Sequence, residues 1–258
     1  LGYAPGVIRG SDFIRCGRGL HLDYDGTGVK DIDALCAATP GGYKKNALFL
    51  GADGLPIPDP TDRVIADPNP KYTMSYTTSL KLWNKLTFSG LVDLRKGGAV
   101  WNGTKGILIT KGTSALTDVR GTTNGQFGVN FDTKIYPNVA GPGVGVVPFT
   151  SMTAWDNWFL GNGGGFGPVG EQFVEDGSFV KLRELSLTYT LDGAWVRNLV
   201  GFTSADVRIA GRNLHTWTKY SGLDPEANLG GAEFLTQGID YFNSPQTKSF
   251  VVSISLNR

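Results

Sequence analysis

Residues 72–95 read YTMSYTTSLKLWNKLTFSGLVDLR and alternate between apolar and polar side chains at almost every position. In 72–82 most even positions are apolar, whereas the odd positions carry hydroxyl groups or lysine, and 86–95 resumes the pattern after Trp83-Asn84-Lys85. A period of two is typical of a β-strand with one apolar face. The sequence therefore predicts a β-hairpin that turns at 83–85.

Further segments with the same alternation extend the predicted sheet. They span 179–191, 205–213 and 248–257, with one more strand near 5–14. The parity of the first of these segments changes after Val180 and Leu182, as expected if a β-bulge inserts an extra residue there. The long strands hold 9 to 13 residues, whereas globular strands usually hold about 5–6 and strands tilted across a bilayer need about 9–11. Their length favours a membrane barrel.

The connections between these strands alternate between short and long. Residues 83–85 and 192–204 are the short links, and 96–178 and 214–247 are the long loops. Transmembrane barrels use short turns on the periplasmic side and long loops outside the cell. If the last strand runs toward the periplasm, every short link lies on that side. We therefore predict an all-β fold, an antiparallel transmembrane β-barrel whose apolar parity faces lipid and whose Ser/Thr parity faces a polar lumen.

The charge balance and the residue inventory exclude several classes of protein. With 24 basic and 23 acidic residues the formal net charge is +1, so no net field attracts nucleic acid. The 37 glycines disfavour a helical fold, and no apolar run is long enough to cross a membrane as a helix. The sequence has two histidines and neither a GxSxG nor an HExxH motif, and we predict that the chain is not an enzyme.

An acidic segment is the candidate metal site. Asp23 and Asp25 stand at alternate positions before Gly26, and Asp31 follows in the same segment. Carboxylates that converge beside such a glycine can bind a hard cation, so these three residues are candidate ligands of a structural calcium ion. Their spacing differs from that of an EF-hand, and a solvated acidic turn is the alternative. No other cofactor is predicted.

The two cysteines, Cys16 and Cys36, are separated by 20 residues and form no metal-binding or redox motif. We predict a disulfide between them, formed outside the cytoplasm. Two unpaired structural thiols are the alternative.

Aromatic residues provide the candidate substrate-binding side chains. Trp155 and Trp158 lie in the longest loop, and Tyr220 follows the fourth long strand. Such rings stack on sugars or pack against a partner protein, whereas packing within the loop itself is the alternative. Trp83 and Trp195 lie in the two short links, where membrane barrels place their interfacial aromatic residues.

Several motifs resemble the C-terminal third of SusC/RagA-type TonB-dependent outer-membrane transporters. They occur in the same order as in that family, over roughly residues 50–258, and the first 50 residues match poorly. The motifs are DPNPKY at 67–72, GGAVWNGT at 97–104, FVEDGSFVKLRELSLTY at 173–189, GRNL at 211–214, KYSGLDPE at 219–226 and PQTK at 245–248.

The resemblance implies a barrel of about 22 strands with an N-terminal plug. It implies import of glycan or peptide oligomers across the outer membrane of a Gram-negative bacterium, with a SusD-like lipoprotein and the TonB complex as partners and with lipid and lipopolysaccharide around the barrel. The sequence 1–258 shows neither the plug nor the N-terminal strands, so we expect it to be a single partial domain that the remainder of the barrel completes. The alternatives are a soluble all-β carbohydrate-binding module and, third, a secreted all-β glycoside hydrolase.

Overall fold

The structure of the protein is a computed structural model, and it describes residues 2–117, 138–146, 152–165, 167–231 and 237–258. Its strands, in chain order, are β1 (Ile8–Phe13), β2 (His21–Leu22), β3 (Lys30–Asp31), β4 (Leu48–Phe49), β5 (Pro58–Ala66), β6 (Pro70–Leu82), β7 (Leu86–Gly97), β8 (Ala99–Asn102), β9 (Val139–Ala140), β10 (Val174–Asp176), β11 (Phe179–Asp192), β12 (Ser204–Thr218), β13 (Ile239–Asp240) and β14 (Ser249–Asn257). Its helices are α1 (Ile32–Ala37), α2 (Gly103–Thr110), α3 (Met152–Leu160) and α4 (Ala194–Val200). None of the described helices has the length and apolar character to cross a membrane.

The chain divides into two compact units. The first comprises Leu1–Gly6, Asp67–Val100 and Glu175–Arg258, and the second comprises Val7–Ala66 and Trp101–Val174. The single partial domain over 1–258 that the sequence predicts stays a prediction.

The first unit contains one antiparallel sheet of five long strands, in the order β6, β7, β11, β12 and β14. Each of these strands pairs with the next of the five along the chain, so the sheet is an up-and-down meander. The strands hold 9 to 15 residues, and β12 continues to Thr218, beyond the predicted end at 213. The predicted all-β, antiparallel architecture of these segments is confirmed, although the described residues do not form a closed barrel.

The hairpin between β6 and β7 turns where the sequence predicts. Leu82 pairs with Leu86, and the Lys85 amide donates a hydrogen bond of 3.1 Å to the Leu82 carbonyl. Trp83 and Asn84 have φ angles of 47° and 55°. Consecutive residues in this left-handed region give the turn a twist that matches the right-handed twist of the two strands.

A β-bulge in β11 keeps one face of that strand apolar along its whole length. Leu182 pairs with Val92 and Glu184 pairs with Leu91, so Arg183 is the extra residue opposite β7. The change of parity after Leu182 is therefore a bulge, as predicted. Without it, the two halves of β11 would present their apolar side chains to opposite faces of the sheet.

The segment 96–178, predicted as one long loop, contains regular structure. It holds β8, β9 and β10 as well as α2 and α3. Asn102 caps α2, because its side-chain oxygen accepts a hydrogen bond of 2.9 Å from the Lys105 amide. The second short link, 192–204, also holds α4. These elements are too short to show a clear period in the sequence.

The second unit is built around two buried clusters and a two-stranded antiparallel sheet of β1 and β5. One cluster packs large apolar side chains such as Phe13 and Phe173 together. The other contains Ile32, Phe49 and the disulfide between Cys16 and Cys36, whose Cα atoms are 6.0 Å apart. The disulfide fastens α1 to the segment that follows β1.

Candidate functional site

One face of the five-stranded sheet is apolar and exposed. Side chains that are in register across all five strands form continuous rows on this face. One row consists of Leu80, Phe88, Leu187, Ile209 and Val252. Leu80, Ile209 and Val252 are 54%, 53% and 68% exposed. Soluble monomers rarely present so continuous an apolar surface to water, so this face requires an apolar neighbour.

The neighbouring rows continue the apolar surface along the strands. One of them consists of Leu82, Leu86, Tyr189, Val207 and Ile254. In another row, Gly211 pairs with Phe250 across β12 and β14. A side chain at Gly211 would lie 2.7 Å from Leu214 and 3.2 Å from the Phe250 ring, so the glycine leaves room for these apolar groups.

The opposite face of the same sheet is polar. One of its rows consists of Lys81, Thr87, Thr188, Arg208 and Ser253. On the same face, Glu184 pairs with Arg208 and, at 3.0 Å, with Arg212. The sheet thus separates an apolar environment from a polar one, which is the property that the sequence predicts for a barrel wall.

A network of ion pairs on the polar face connects the sheet to the segment after β12. Lys181 is buried, and its Nζ lies 2.7 Å from Asp224 Oδ1 and also contacts Glu226. Arg183 Nε lies 2.7 Å from Asp93 Oδ2, and its second guanidinium nitrogen lies 2.5 Å from Glu226 Oε1. A buried charge is tolerated only when it is paired, so these contacts fix the chain around 224–226 against the sheet.

This network was not predicted from the sequence. Lys181 and Arg183 stand in a motif that supports the family resemblance, but nothing in the sequence indicates their partners more than 40 residues later. The available signal is weak: Lys181 is a charged residue on the polar parity of a predicted strand, and Asp224 and Glu226 are alternate acids in a loop.

At the short-link end of the sheet, the predicted interfacial tryptophans are exposed. Trp83 is 84% exposed and Trp195 is 55% exposed. Lys85 Nζ lies 2.5 Å from Asp192 Oδ1 in the same region. This end of the sheet therefore carries two exposed tryptophans and a lysine whose charge is neutralised by Asp192.

Tyr220, a predicted substrate-binding residue, is buried in the first unit. Its hydroxyl donates a hydrogen bond of 2.6 Å to Asp240 Oδ2. Burial, together with this carboxylate acceptor, raises the pKa of Tyr220 well above the ordinary value for tyrosine. The side chain thus stabilises the protein internally and does not present its ring to a ligand.

The predicted substrate-binding tryptophans lie in α3 of the second unit. Trp158 is buried, and its ring stacks on Phe13 with centroids 6.1 Å apart. The Trp158 ring face that would stack on a substrate therefore packs against Phe13 in the core. The Trp155 side chain lies outside the described residues.

The three candidate calcium ligands have separate local partners. Asp23 accepts a hydrogen bond from the Gly28 amide at 3.2 Å, and Asp31 caps α1. Asp25 pairs with Lys30 and accepts from the Thr27 hydroxyl at 2.8 Å. Among the residues that the structure describes, no three His, Cys, Asp or Glu side chains are grouped so as to hold a metal ion. A calcium ion at this segment stays a prediction.

The buried charges of the second unit are also paired. Asp12 lies 2.5 Å from a guanidinium nitrogen of Arg18, and Arg15 lies 2.9 Å from Glu171. Burial opposes ionisation of Asp12, but hydrogen bonds to Glu171 and Arg18 outweigh it and hold its pKa below the usual range. Burial and the nearby Asp12 charge raise the pKa of Glu171. These groups neutralise each other, which indicates a structural role.

Comparison with known proteins identifies relatives among transporters. No family model matches the chain. The chain is 28% identical over 225 residues to the TonB-dependent receptor P3 of Formosa agariphila; the match covers 84% of this chain and 19% of the receptor. The chain thus spans about a fifth of the length of this curated relative.

A solved structure shares the fold. The RagAB peptide importer in its closed-closed state matches 98% of this chain and 23% of the importer chain, with a TM-score of 0.50 and 17% sequence identity. The predicted resemblance to TonB-dependent receptors of the SusC/RagA type is confirmed. These relatives are a receptor and an importer, so the prediction that the chain is not an enzyme is also confirmed.

Proposed function

Since the chain is similar to TonB-dependent receptors, we propose that it forms part of the wall of an outer-membrane β-barrel that imports nutrients. The host is a Gram-negative bacterium, and import uses energy that the TonB complex transmits. The remainder of the barrel and a plug domain complete the transporter.

The two-faced sheet is the observation that carries this proposal. The apolar rows lie on the exposed face, whereas hydroxyl groups and ion pairs lie on the other. Lipid chains would contact the apolar face, and water in the lumen would hydrate the polar face. The exposed Trp83 and Trp195 lie at the short-link end, where an aromatic girdle meets the periplasmic side of the membrane.

Substrate binding belongs, in this proposal, to the loops at the strand ends opposite the short links. The segment after β12 contributes Asp224 and Glu226 to the network with Lys181 and Arg183. This network keeps an external loop at a fixed position on the lumen wall. We propose that loops at this end hold the substrate beneath a SusD-like lipoprotein and that remodelling of the plug releases it inward.

The substrates are glycan or peptide oligomers. Uptake of labelled oligosaccharides and oligopeptides of equal size by cells that carry or lack the gene distinguishes the two classes. Import of either class that disappears with the gene and with TonB supports the proposal. Equal uptake by both strains for every oligomer contradicts it.

Membrane association is the first test. We expect the protein to sediment with outer membranes and to need detergent for extraction. Folded barrels migrate differently on denaturing gels before and after boiling, which gives a second readout. A monodisperse protein purified from the soluble fraction without detergent would contradict the proposal and favour the soluble carbohydrate-binding module.

A further inference from the structure

A pocket of about 370 Å³ lies at the end of the sheet opposite the Trp83 turn. Tyr72, Leu94, Val180 and Trp217 line it, and one comes from each of β6, β7, β11 and β12. Leu94, Val180 and Trp217 are in register across three strands and belong to the apolar face. Tyr72 and Trp217 are 56% and 53% exposed.

The pocket carries an excess of positive charge. Arg95, Lys96 and Lys219 line it together with a single carboxylate, that of Asp176. Lys96 and Lys219 are exposed, and neither forms an ion pair within the described part of the chain. A guanidinium nitrogen of Arg95 donates to the Pro68 carbonyl at 2.7 Å. Two cationic side chains are therefore left for an external anion.

The Asp176 carboxylate offsets only part of this excess. Its Oδ1 accepts hydrogen bonds from the amide and the hydroxyl of Ser178, at 3.0 Å and 2.6 Å, and these bonds, together with the charges of Lys96 and Lys219, lower its pKa. Two lysines and an arginine against one carboxylate leave a net charge of about +2 around the pocket. At the other end of the sheet, Lys85 is neutralised by Asp192.

We propose that this pocket binds a phosphorylated lipid of the outer leaflet. The lipid chains lie along the apolar rows of the sheet, the Tyr72 and Trp217 rings flank the headgroup, and Lys96 and Lys219 bind its phosphate. Aromatic rings and cationic side chains together favour this interfacial depth. The inference rests on the proposed function, which places the apolar face in lipid and this end of the strands at the external surface.

The test measures lipid binding to the detergent-purified protein by native mass spectrometry, with lipid A as the probe. The variant Lys96→Gln/Lys219→Gln should bind lipid A roughly 30-fold more weakly, because each basic side chain near a lipid surface contributes about a factor of five. The control variant Lys81→Gln/Lys85→Gln removes the same charge from the polar face and the opposite end. We expect it to bind within about twofold of the wild type.

Two further probes separate lipid recognition from simple attraction of anions. Dephosphorylated lipid A should bind equally weakly to the wild type and to the pocket variant, and inorganic phosphate alone should not compete at concentrations similar to those of the lipid. Equal losses in both double variants, or full competition by inorganic phosphate, would overturn the inference.

The outcome also separates this inference from the proposed function. A protein that is integral to the outer membrane but binds lipid A as well after Lys96→Gln/Lys219→Gln refutes the lipid site alone. A protein that is soluble without detergent refutes both.

Discussion

Lys181 Nζ lies 2.7 Å from Asp224 Oδ1, and both side chains are buried. Lys181→Met leaves the buried Asp224 carboxylate without its cation, whereas Glu226 keeps its pair with Arg183, so we expect a loss of about 3–5 kcal/mol in the free energy of unfolding. Thermal unfolding in detergent measures this loss. Lys85→Met, which removes the exposed pair with Asp192, is the control and should change the stability far less, because solvent screens that pair.

The double variant Lys181→Met/Asp224→Asn tests whether the penalty comes from the unpaired charge. We expect it to recover part of the lost stability, because the buried side chain at position 224 then carries no unpaired charge. A double variant that is less stable than the sum of the single changes would contradict this explanation.

The assignment of the two faces predicts unequal effects at neighbouring positions. Ile254→Arg places a charge on the apolar face and should destabilise the protein by about 2–4 kcal/mol if the position lies near the middle of the bilayer. Ser253→Arg places the same side chain on the polar face and should cost much less. Refolding into lipid vesicles measures both, and equal effects would show that the faces are assigned wrongly.

Because Arg183 is the extra residue of the bulge, we expect deletion of Arg183 to impair membrane assembly more than its substitution does. Deleting Arg183 removes the extra residue, so Val180 and Leu182 move to the polar face or the whole register shifts. We expect the deletion to abolish assembly in the membrane. Arg183→Ala keeps the register and loses the side-chain contacts with Asp93, Glu226 and Gln246, so it should still assemble. The yield of heat-modifiable protein in outer membranes compares them.

Because the Tyr220 hydroxyl is buried, we expect the protein to lose stability at alkaline pH. An exposed tyrosine in the unfolded chain ionises near pH 10, whereas the folded-state pKa is raised by burial and by Asp240. The contribution of Tyr220 is therefore complete below about pH 10 and decreases as the pH rises further. Tyr220→Phe should lower the stability by about 1–2 kcal/mol at neutral pH and flatten this alkaline decrease. An unchanged slope between pH 9 and 11 would exclude Tyr220 as its source.

The disulfide of the second unit predicts sensitivity to reductant. Cys16 and Cys36 close a loop with a sequence separation of 20, which corresponds to about 3 kcal/mol of stabilisation in the chain-entropy description. Dithiothreitol should lower the unfolding temperature of the wild type. It should have no effect on Cys16→Ala/Cys36→Ala, and a similar shift in that variant would mean that reduction of this bond is not the cause.

The long strands could be predicted because their signal is local. In 72–95 each second side chain faces the same environment, so the period is visible without knowledge of the fold. The helices between 101 and 174 gave no such signal, since their burial depends on residues distant in sequence. For the same reason Trp158 looked like a loop aromatic available to substrate, although its ring packs on Phe13. The partners of Lys181 and Tyr220 are likewise set by tertiary structure.

The five-stranded meander has an arithmetic consequence. Because neighbouring strands are antiparallel, β6 and β14, at the two margins of the sheet, run in the same direction. A closed barrel in which every pair of neighbouring strands is antiparallel must contain an even number of strands. These five strands can therefore be part of such a barrel only if an odd number of further strands is added. Until they are added, the amide and carbonyl groups on both margins can pair with any extended chain nearby, and we expect the isolated polypeptide to aggregate.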